Sequence, residues 1–262
     1  MVCTWIVQDN LNPTVGRNTL DLLAREVAEA GRDLVRVKVT PFSEQLPELP
    51  EVERPFVFYG YSTLITNAWR SPRWRSGVFF DPALFTPAQY ALHYGERYLN
   101  SGGEILTFAE LDSRSYDDER RLFLRPNNDL KKWTGSVMTF GEFRAWFAGF
   151  ADDLELAVNA ASSLQCAPIQ HIVVEYRIFL LDGMAVAHSQ YQPTARAWVP
   201  HEVIAFAEEC AEVWMPTPVA VMDIARLETE LKLLELNCFN GSGFYLADVR
   251  SIVRNVSAYL EA

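Results

Sequence analysis

Asp223, and then Glu235 and Asn237 beyond it, are the side chains whose types and spacing could do chemistry. Residues 219–225 and 231–240 are two largely apolar runs on either side of a short polar turn, the pattern of a β-hairpin. Side chains alternate faces along a strand, so Glu235 and Asn237 point the same way. A turn centred near Thr229 sets Asp223 opposite Glu235. Two carboxylates and an amide oxygen then converge on one spot. Beside an apolar sheet such a cluster is costly alone. A hard divalent cation offsets the cost, and Mg²⁺ takes a few carboxylate oxygens and completes its shell with phosphate oxygens. The competing reading is a solvated polar edge of the hairpin.

A metal of this kind serves phosphates, and phosphates need further cations. Arg125 ends a strand-like run, and Pro126 behind it biases Arg125 toward an extended conformation. Lys131 follows in a polar segment, with Lys132 beside it as a solvated surface lysine. Glu175 and Arg177 share one face of an otherwise apolar strand, opposite Tyr176. An ion pair at about 4 Å is worth roughly 4 kcal/mol at an effective dielectric near 20. That is enough to help order a triphosphate, and equally enough for a structural salt bridge. No GxxxxGK[ST], GxGxxG or GxSxG occurs, so phosphate handling falls to side-chain cations and metal.

The elements that must position these groups read as follows. Strands are expected at 4–7, 34–39 and 56–59, with a helix over 18–31, giving a β-α-β-β start of α/β type. Residues 61–85 read as irregular and 86–100 as helical. Strands follow at 105–108, 122–125 and 137–139, a short aromatic-rich helix at 141–150, and one long strand over 169–181. Asp182 and Gly183 signal a tight hairpin turn into a strand over 184–191. Helices at 201–214 and 244–260 bracket the carboxylate hairpin. The expected plan is an α/β domain over 1–100 followed by an antiparallel α+β domain over 101–262.

Bulk properties limit the class. The 262 residues are 49% hydrophobic and 22% charged, with a net charge of −11. That balance supports a folded core and argues against a nucleic-acid partner. Four cysteines without a CxxC pair, and four scattered histidines, fit neither zinc nor a disulfide framework. Neither a secretory leader nor an apolar run of about 20 residues is visible, so the expectation is a soluble cytoplasmic protein with no membrane partner.

Taken together, residues 123–126 (FLRP), 129–135 (DLKKWTG), 174–183 (VEYRIFLLDG), 222–225 (MDIA) and 235–245 (ELNCFNGSGFY) resemble the ATP-grasp superfamily. More narrowly, they resemble its clade named for two arginines and one lysine. The resemblance covers about residues 100–262; the first hundred resemble the pre-ATP-grasp domain in order of elements only. It implies an α+β ATP-grasp fold of two lobes with antiparallel sheets, a small lobe at about 101–170 and a large lobe at about 171–262.

The resemblance also implies roles. Asp223, Glu235 and Asn237 match magnesium ligands. Arg125 stands where many relatives carry an ATP-binding lysine, and Lys131 matches a phosphate-facing cation. Arg177 matches the arginine that approaches the γ-phosphate or acyl phosphate. Glu175 joins the nucleotide contacts, and the adenine is expected near residues 169–172, where backbone groups, Ile172 among them, read the base and Gln170 helps. Ser189, Gln190, Tyr191 and the 240–242 loop are candidates for substrate contacts, and equally for ordinary strand-end and turn positions. The sequence departs from the family in its covering loop, residues 127–135, which holds one glycine, and in the arginine at the first-lysine position.

The implied activity is an ATP-dependent carboxylate–amine ligase working through an acyl phosphate, with ATP and Mg²⁺ as cofactors and a carboxylate and an amine as substrates. A kinase-like phosphotransferase, a non-catalytic nucleotide-binding protein and an unrelated α+β interaction domain are the rivals. A homodimer is the common default for symmetric soluble proteins.

Overall fold

The computed structural model describes residues 1–9, 17–128, 133–151, 153 and 158–262. It opens with a parallel sheet. Strands β1 (Thr4–Gln8), β2 (Asp33–Val37) and β3 (Phe56–Tyr59) lie in the order β2-β1-β3, and helix α1 (Arg17–Glu29) makes the first crossover. The chain continues through α2 (Ser62–Arg70) and α3 (Pro87–Tyr94), the latter capped by the Thr86 hydroxyl with Pro87 in the first turn.

A second sheet follows, with order β4-β7-β5-β6. It comprises β4 (Glu104–Thr107), β5 (Arg121–Pro126), β6 (Ser136–Thr139) and β7 (Ser163–Ala167), all paired antiparallel. Helices α4 (Phe108–Asp112) and α5 (Phe140–Ala148) cover it, each started by a threonine–glutamate capping box. The third sheet has β8 (Val174–Leu181), β9 (Met184–Gln192), β10 (Val219–Arg226) and β11 (Leu231–Cys238) in the order β11-β10-β8-β9, again antiparallel. Helix α6 (His201–Val213) lies on it, and α7 (Val249–Glu261) closes the chain behind an Asp248 cap.

Three expectations need correction. Residues 61–85 are not irregular throughout, because α2 buries Leu64, Ile65 and Ala68 on one face. The β-branched Thr63, Ile65 and Thr66 lower helix propensity there, and tertiary burial overrides it. The strand expected over 169–181 begins only at Val174, as β8, and β7 before it was not expected. β7 stops at Ala167, where Pro168 offers no N–H to continue the ladder. The closing helix starts at Val249, five residues later than expected; Phe244 is buried before it, and Tyr245 takes a φ of 50°. The Asp182–Gly183 turn does form, with φ of 47° and 85° at the two residues, the left-handed pair a tight hairpin needs.

The antiparallel sheet of β4–β7 keeps a core of its own, built on Phe108, Leu124, Phe140, Phe143 and Leu164. The parallel sheet and the β8–β11 sheet share their cores. Phe58, Tyr90 and Leu64 pack with Ile178, Met222 and Leu236 on one side; Trp5 and Val57 pack with Phe179, Val221 and Phe239 on the other. Asn240, fully buried just past β11, fastens the two. Its amide donates to the Phe58 and Gly77 carbonyls at 2.7 and 3.1 Å, and its oxygen accepts from Phe79 N at 2.7 Å. Asn240→Ala leaves these buried backbone groups unsatisfied and is expected to lower the unfolding free energy by about 3 kcal/mol. Urea denaturation checks this, and an unchanged midpoint would contradict it.

Candidate active site between the antiparallel sheets

One face of the β8–β11 sheet changes character along its length. Phe179 and Leu181 on β8 and Val219 and Val221 on β10 are apolar and pack beneath α7 and Phe239. Farther along the same face the side chains become Glu175, Arg177, Asp223, Glu235 and Asn237. The register makes a single row of four: Ser189 is opposite Arg177, Arg177 opposite Asp223, and Asp223 opposite Glu235. A β-bulge follows at once, where Ile224 pairs with Leu233, so that Leu234 is the extra residue.

The expected convergence is present. The Asn237 amide lies 3.1 Å from Asp223 Oδ2 and 3.2 Å from Glu235 Oε1. It donates to both carboxylates; turned over, it would present its oxygen between them. Each carboxylate also holds an arginine. Arg177 grips Asp223 with two bonds, Nε to Oδ1 at 2.8 Å and Nη2 to Oδ2 at 2.7 Å, with both side chains buried. Arg125, at the end of β5 in the neighbouring sheet, reaches across to Glu235 Oε2 at 2.7 Å. Burial works against the charge of both arginines. The carboxylates they face win, and hold both guanidinium groups above their ordinary value.

Among the described residues no cation forms an ion pair with Glu175. Burial pushes its carboxyl above the usual range, the Asp223 and Glu235 charges add to this, and a hydrogen bond from Tyr191 offsets part of it. The Tyr191 phenol rises as well, through burial and then the Asp223 and Glu175 carboxylates. Tyr191 and Tyr245 stack at 4.8 Å, and Arg177 lies against both rings.

A cleft of about 420 Å³ opens beside this row. Phe123, Trp133, Ile172 and Leu234 supply apolar walls, while Arg125, Asn128, Glu175, Tyr191 and Glu235 are its polar lining. Of the groups expected at a nucleotide, Arg125, Glu175 and Ile172 line this cleft, and Arg177, Asp223 and Asn237 sit in its floor row or beside it. Gln170 is exposed and does not line the cleft. Lys131, with Lys132, falls outside the described residues. Asn240 and Ser242 are buried and spend their polar groups on backbone, the Ser242 hydroxyl donating to Cys238 O at 2.7 Å. Ser189 is fully buried.

Sequence reasoning missed Trp133, which bridges the cleft and the aromatic cluster of Phe108 and Trp146. It also missed Gln165. That residue faces Arg125 across β5 and β7, accepts from Tyr98 Oη at 2.7 Å and donates to Asn100 O at 3.1 Å. Tyr98 in turn bridges to Leu233 of β11, which ties the two antiparallel sheets at the back of the cleft.

The donor set suits one kind of ion. Among the described residues no group of three or more His, Cys, Asp or Glu is arranged to hold a metal. Two carboxylates and an amide suit a hard cation whose other ligands are phosphate oxygens and water, as Mg²⁺ prefers. The cysteines take no part: all four are buried and in no disulfide, and burial pushes the thiols of Cys3 and Cys210 up to about 12.

Glu175 gives a pH signature. A carboxyl raised in the native state contributes its full stability below the unfolded pKa, about 4.3, and loses it as pH rises through the native value. Glu175→Gln should therefore melt higher than the parent at about pH 8, with the gain gone near pH 4. An equal difference at both pH values in calorimetry would contradict the burial account.

Comparisons with known proteins identify the family and the fold. Residues 86–256 match an ATP-grasp domain family, the third family of the clade named for two arginines and one lysine. No curated protein matches. Among solved structures, the chain is similar to the ATP-grasp ligase PsnB complexed with minimal precursor, at 13% identity, a TM-score of 0.59 and 99% of each chain. D-cycloserine synthetase DcsG is similar at 12% identity and a TM-score of 0.62, over 98% of this chain and 99% of its own. A RimK domain ATP-grasp protein from Sphaerobacter thermophilus DSM 20745 is similar at 11% identity and 0.64, over 98% and 100%. Another PsnB structure holds minimal precursor, Mg and ADP. The architecture is the ATP-grasp fold, and the chain belongs to the ATP-grasp domain family that is third in the two-arginine, one-lysine clade.

Proposed function

We propose that this protein is an ATP-dependent carboxylate–amine ligase that binds Mg-ATP in the cleft between its antiparallel sheets. The observation that carries the reading is the triangle of Asp223, Glu235 and Asn237 on one sheet face, with Arg177 and Arg125 reaching the same two carboxylates. Family membership supports it, as do relatives named as ligase and synthetase and one that holds Mg and ADP. In this reading residues 1–100 form the leading domain, about 101–170 the small lobe and about 171–262 the large lobe.

The reading entails two steps. A substrate carboxylate oxygen attacks the γ-phosphorus of ATP, the bond to the β–γ bridging oxygen breaks, and ADP leaves. An amine then attacks the acyl carbon, inorganic phosphate departs and the amine loses a proton. Asp223, Glu235 and Asn237 would hold Mg²⁺, which neutralises charge on the phosphate oxygens. Arg125 carries a planar fork suited to two phosphate oxygens, and Lys131 would add a point charge. Arg177, fixed by Asp223, would meet the transferring phosphoryl group. Ile172, Phe123 and Leu234 offer an apolar slot for a base, and Glu175 a carboxylate for ribose hydroxyls. No nucleophile of the protein is required, so catalysis rests on positioning and charge neutralisation.

Two tests are direct. Asp223→Ala would strand a buried guanidinium, at a cost of about 3–5 kcal/mol in stability, so Glu235→Gln and Asn237→Ala are the cleaner variants. Both should fold and lose Mg-dependent ADP release by at least about a hundredfold across a panel of amino acids and peptides. Parent-like rates in both variants would remove the metal assignment. Arg125→Ala should weaken ATP binding about tenfold in calorimetry, the worth of one charge-assisted contact. Unaltered affinity would make Arg125 structural. Mass spectrometry of the products separates this reading from phosphotransfer: an amide supports it, and a phosphate ester contradicts it.

A further inference from the structure

Arg177 is held on more sides than its ion pair with Asp223 requires. A guanidinium has five N–H groups. Two go to Asp223, and one on Nη1 goes to the Gly243 carbonyl at 3.1 Å. One hydrogen on each terminal nitrogen has no partner among the described residues.

The rings complete the enclosure. Tyr191 and Tyr245 stack at 4.8 Å and 9°, and Arg177 Cζ lies 5.5 Å from one centroid and 5.0 Å from the other. These three distances make a nearly equilateral triangle. A cation on the outer face of a stacked pair would be close to one ring and far from the other. Arg177 instead lies nearly equidistant from the two centroids, beside the stack, so that both rings flank it. Tyr245 reaches this place in an unusual way. Its φ of 50° is one that few residues with a side chain adopt, and half of its surface is exposed, so burial alone does not hold it there. The same short loop supplies the Gly243 carbonyl and the Tyr245 ring.

We propose that the Tyr191–Tyr245 stack is a positioning element for Arg177. It keeps the two remaining N–H groups of that arginine turned toward the anionic group it serves, and so governs turnover more than nucleotide affinity. This rests on the reading above in which Arg177 meets the transferring phosphoryl group. Tyr245 itself touches no reacting atom in this account. Its ring packs against the guanidinium that Asp223 and Gly243 hold by hydrogen bonds, and limits its swing out of that arrangement.

The test uses the full chain and three variants. Tyr245→Asn removes the ring while tolerating the left-handed φ, with Tyr245→Gly in its place should the asparagine variant not fold. Tyr245→Phe keeps the stack, and Arg177→Lys identifies the arginine signal. In the nucleotide-free protein, the Arg177 Nε–H should exchange with water about tenfold faster in Tyr245→Asn than in the parent, with Tyr245→Phe restoring the slow rate. With Mg-ATP, Tyr245→Asn should lower kcat for ADP release about tenfold while KM for ATP stays within about twofold, and Tyr245→Phe should recover most of kcat. Unchanged Nε–H exchange in Tyr245→Asn would overturn the proposal. So would a loss that falls on KM for ATP alone, or one that Phe does not rescue. Unchanged ADP release in Arg177→Lys would instead overturn the reading of Arg177, and the exchange measurement would still decide whether the rings hold it.

Discussion

Two carboxylates set side by side on a sheet face must be neutralised, and the site is organised around how this is done. Asp223 and Glu235 are opposite one another on adjacent strands, with the Asn237 amide between them. At an effective dielectric near 20, like charges a few ångströms apart repel by roughly 4 kcal/mol. Here each finds a guanidinium, one from its own sheet and one from the sheet across the cleft. The two solutions differ in kind. The Arg177–Asp223 pair is buried and bidentate, so it behaves as part of the scaffold. The Arg125–Glu235 pair is a single bond between two sheets at the edge of the cleft, and a phosphate can compete for that arginine.

The fold serves this arrangement by dividing one sheet face in two. The apolar half, with Phe179, Val219 and Val221, is sealed against α7 and the core shared with the parallel sheet. The polar half is left for the cleft. Because Asn240 follows directly on β11 and fastens to the Phe58 and Gly77 carbonyls, the strand that carries Glu235 and Asn237 cannot slide against the leading sheet. The β4–β7 sheet has a separate core and meets this body through Arg125 and the Tyr98–Gln165–Asn100 contacts. The cleft lies between sheets whose cores, among the described residues, are separate.

The hairpin with the carboxylates was legible in the sequence because its physics is local. Two alternating runs around a short turn specify both register and face, and the Asp223–Glu235 pairing follows from counting. The Asp182–Gly183 turn is legible for the same reason. Helix α2 was not, since Thr63, Ile65 and Thr66 argue against a helix that long-range burial imposes. The break at Pro168 hid β7, and with it Gln165, whose role depends on facing Arg125 across a strand that pattern reading did not supply. Gln170 shows the limit of placing a base reader from order alone: it is exposed, and its neighbour Ile172 lines the cleft. Nothing local in the sequence marks Tyr245 as the partner of Tyr191, for the two are brought together only by the turn after β11.

The central claim is that Asp223, Glu235 and Asn237 together hold a divalent ion against a nucleotide's phosphates. Paramagnetic resonance of Mn²⁺, titrated with the protein and a non-hydrolysable ATP analogue, tests it most directly. The account predicts tight protein-bound Mn²⁺ when the nucleotide is present, and loss of that signal in Glu235→Gln and in Asn237→Ala with the fold intact. An undiminished bound-Mn²⁺ signal in both variants would contradict it.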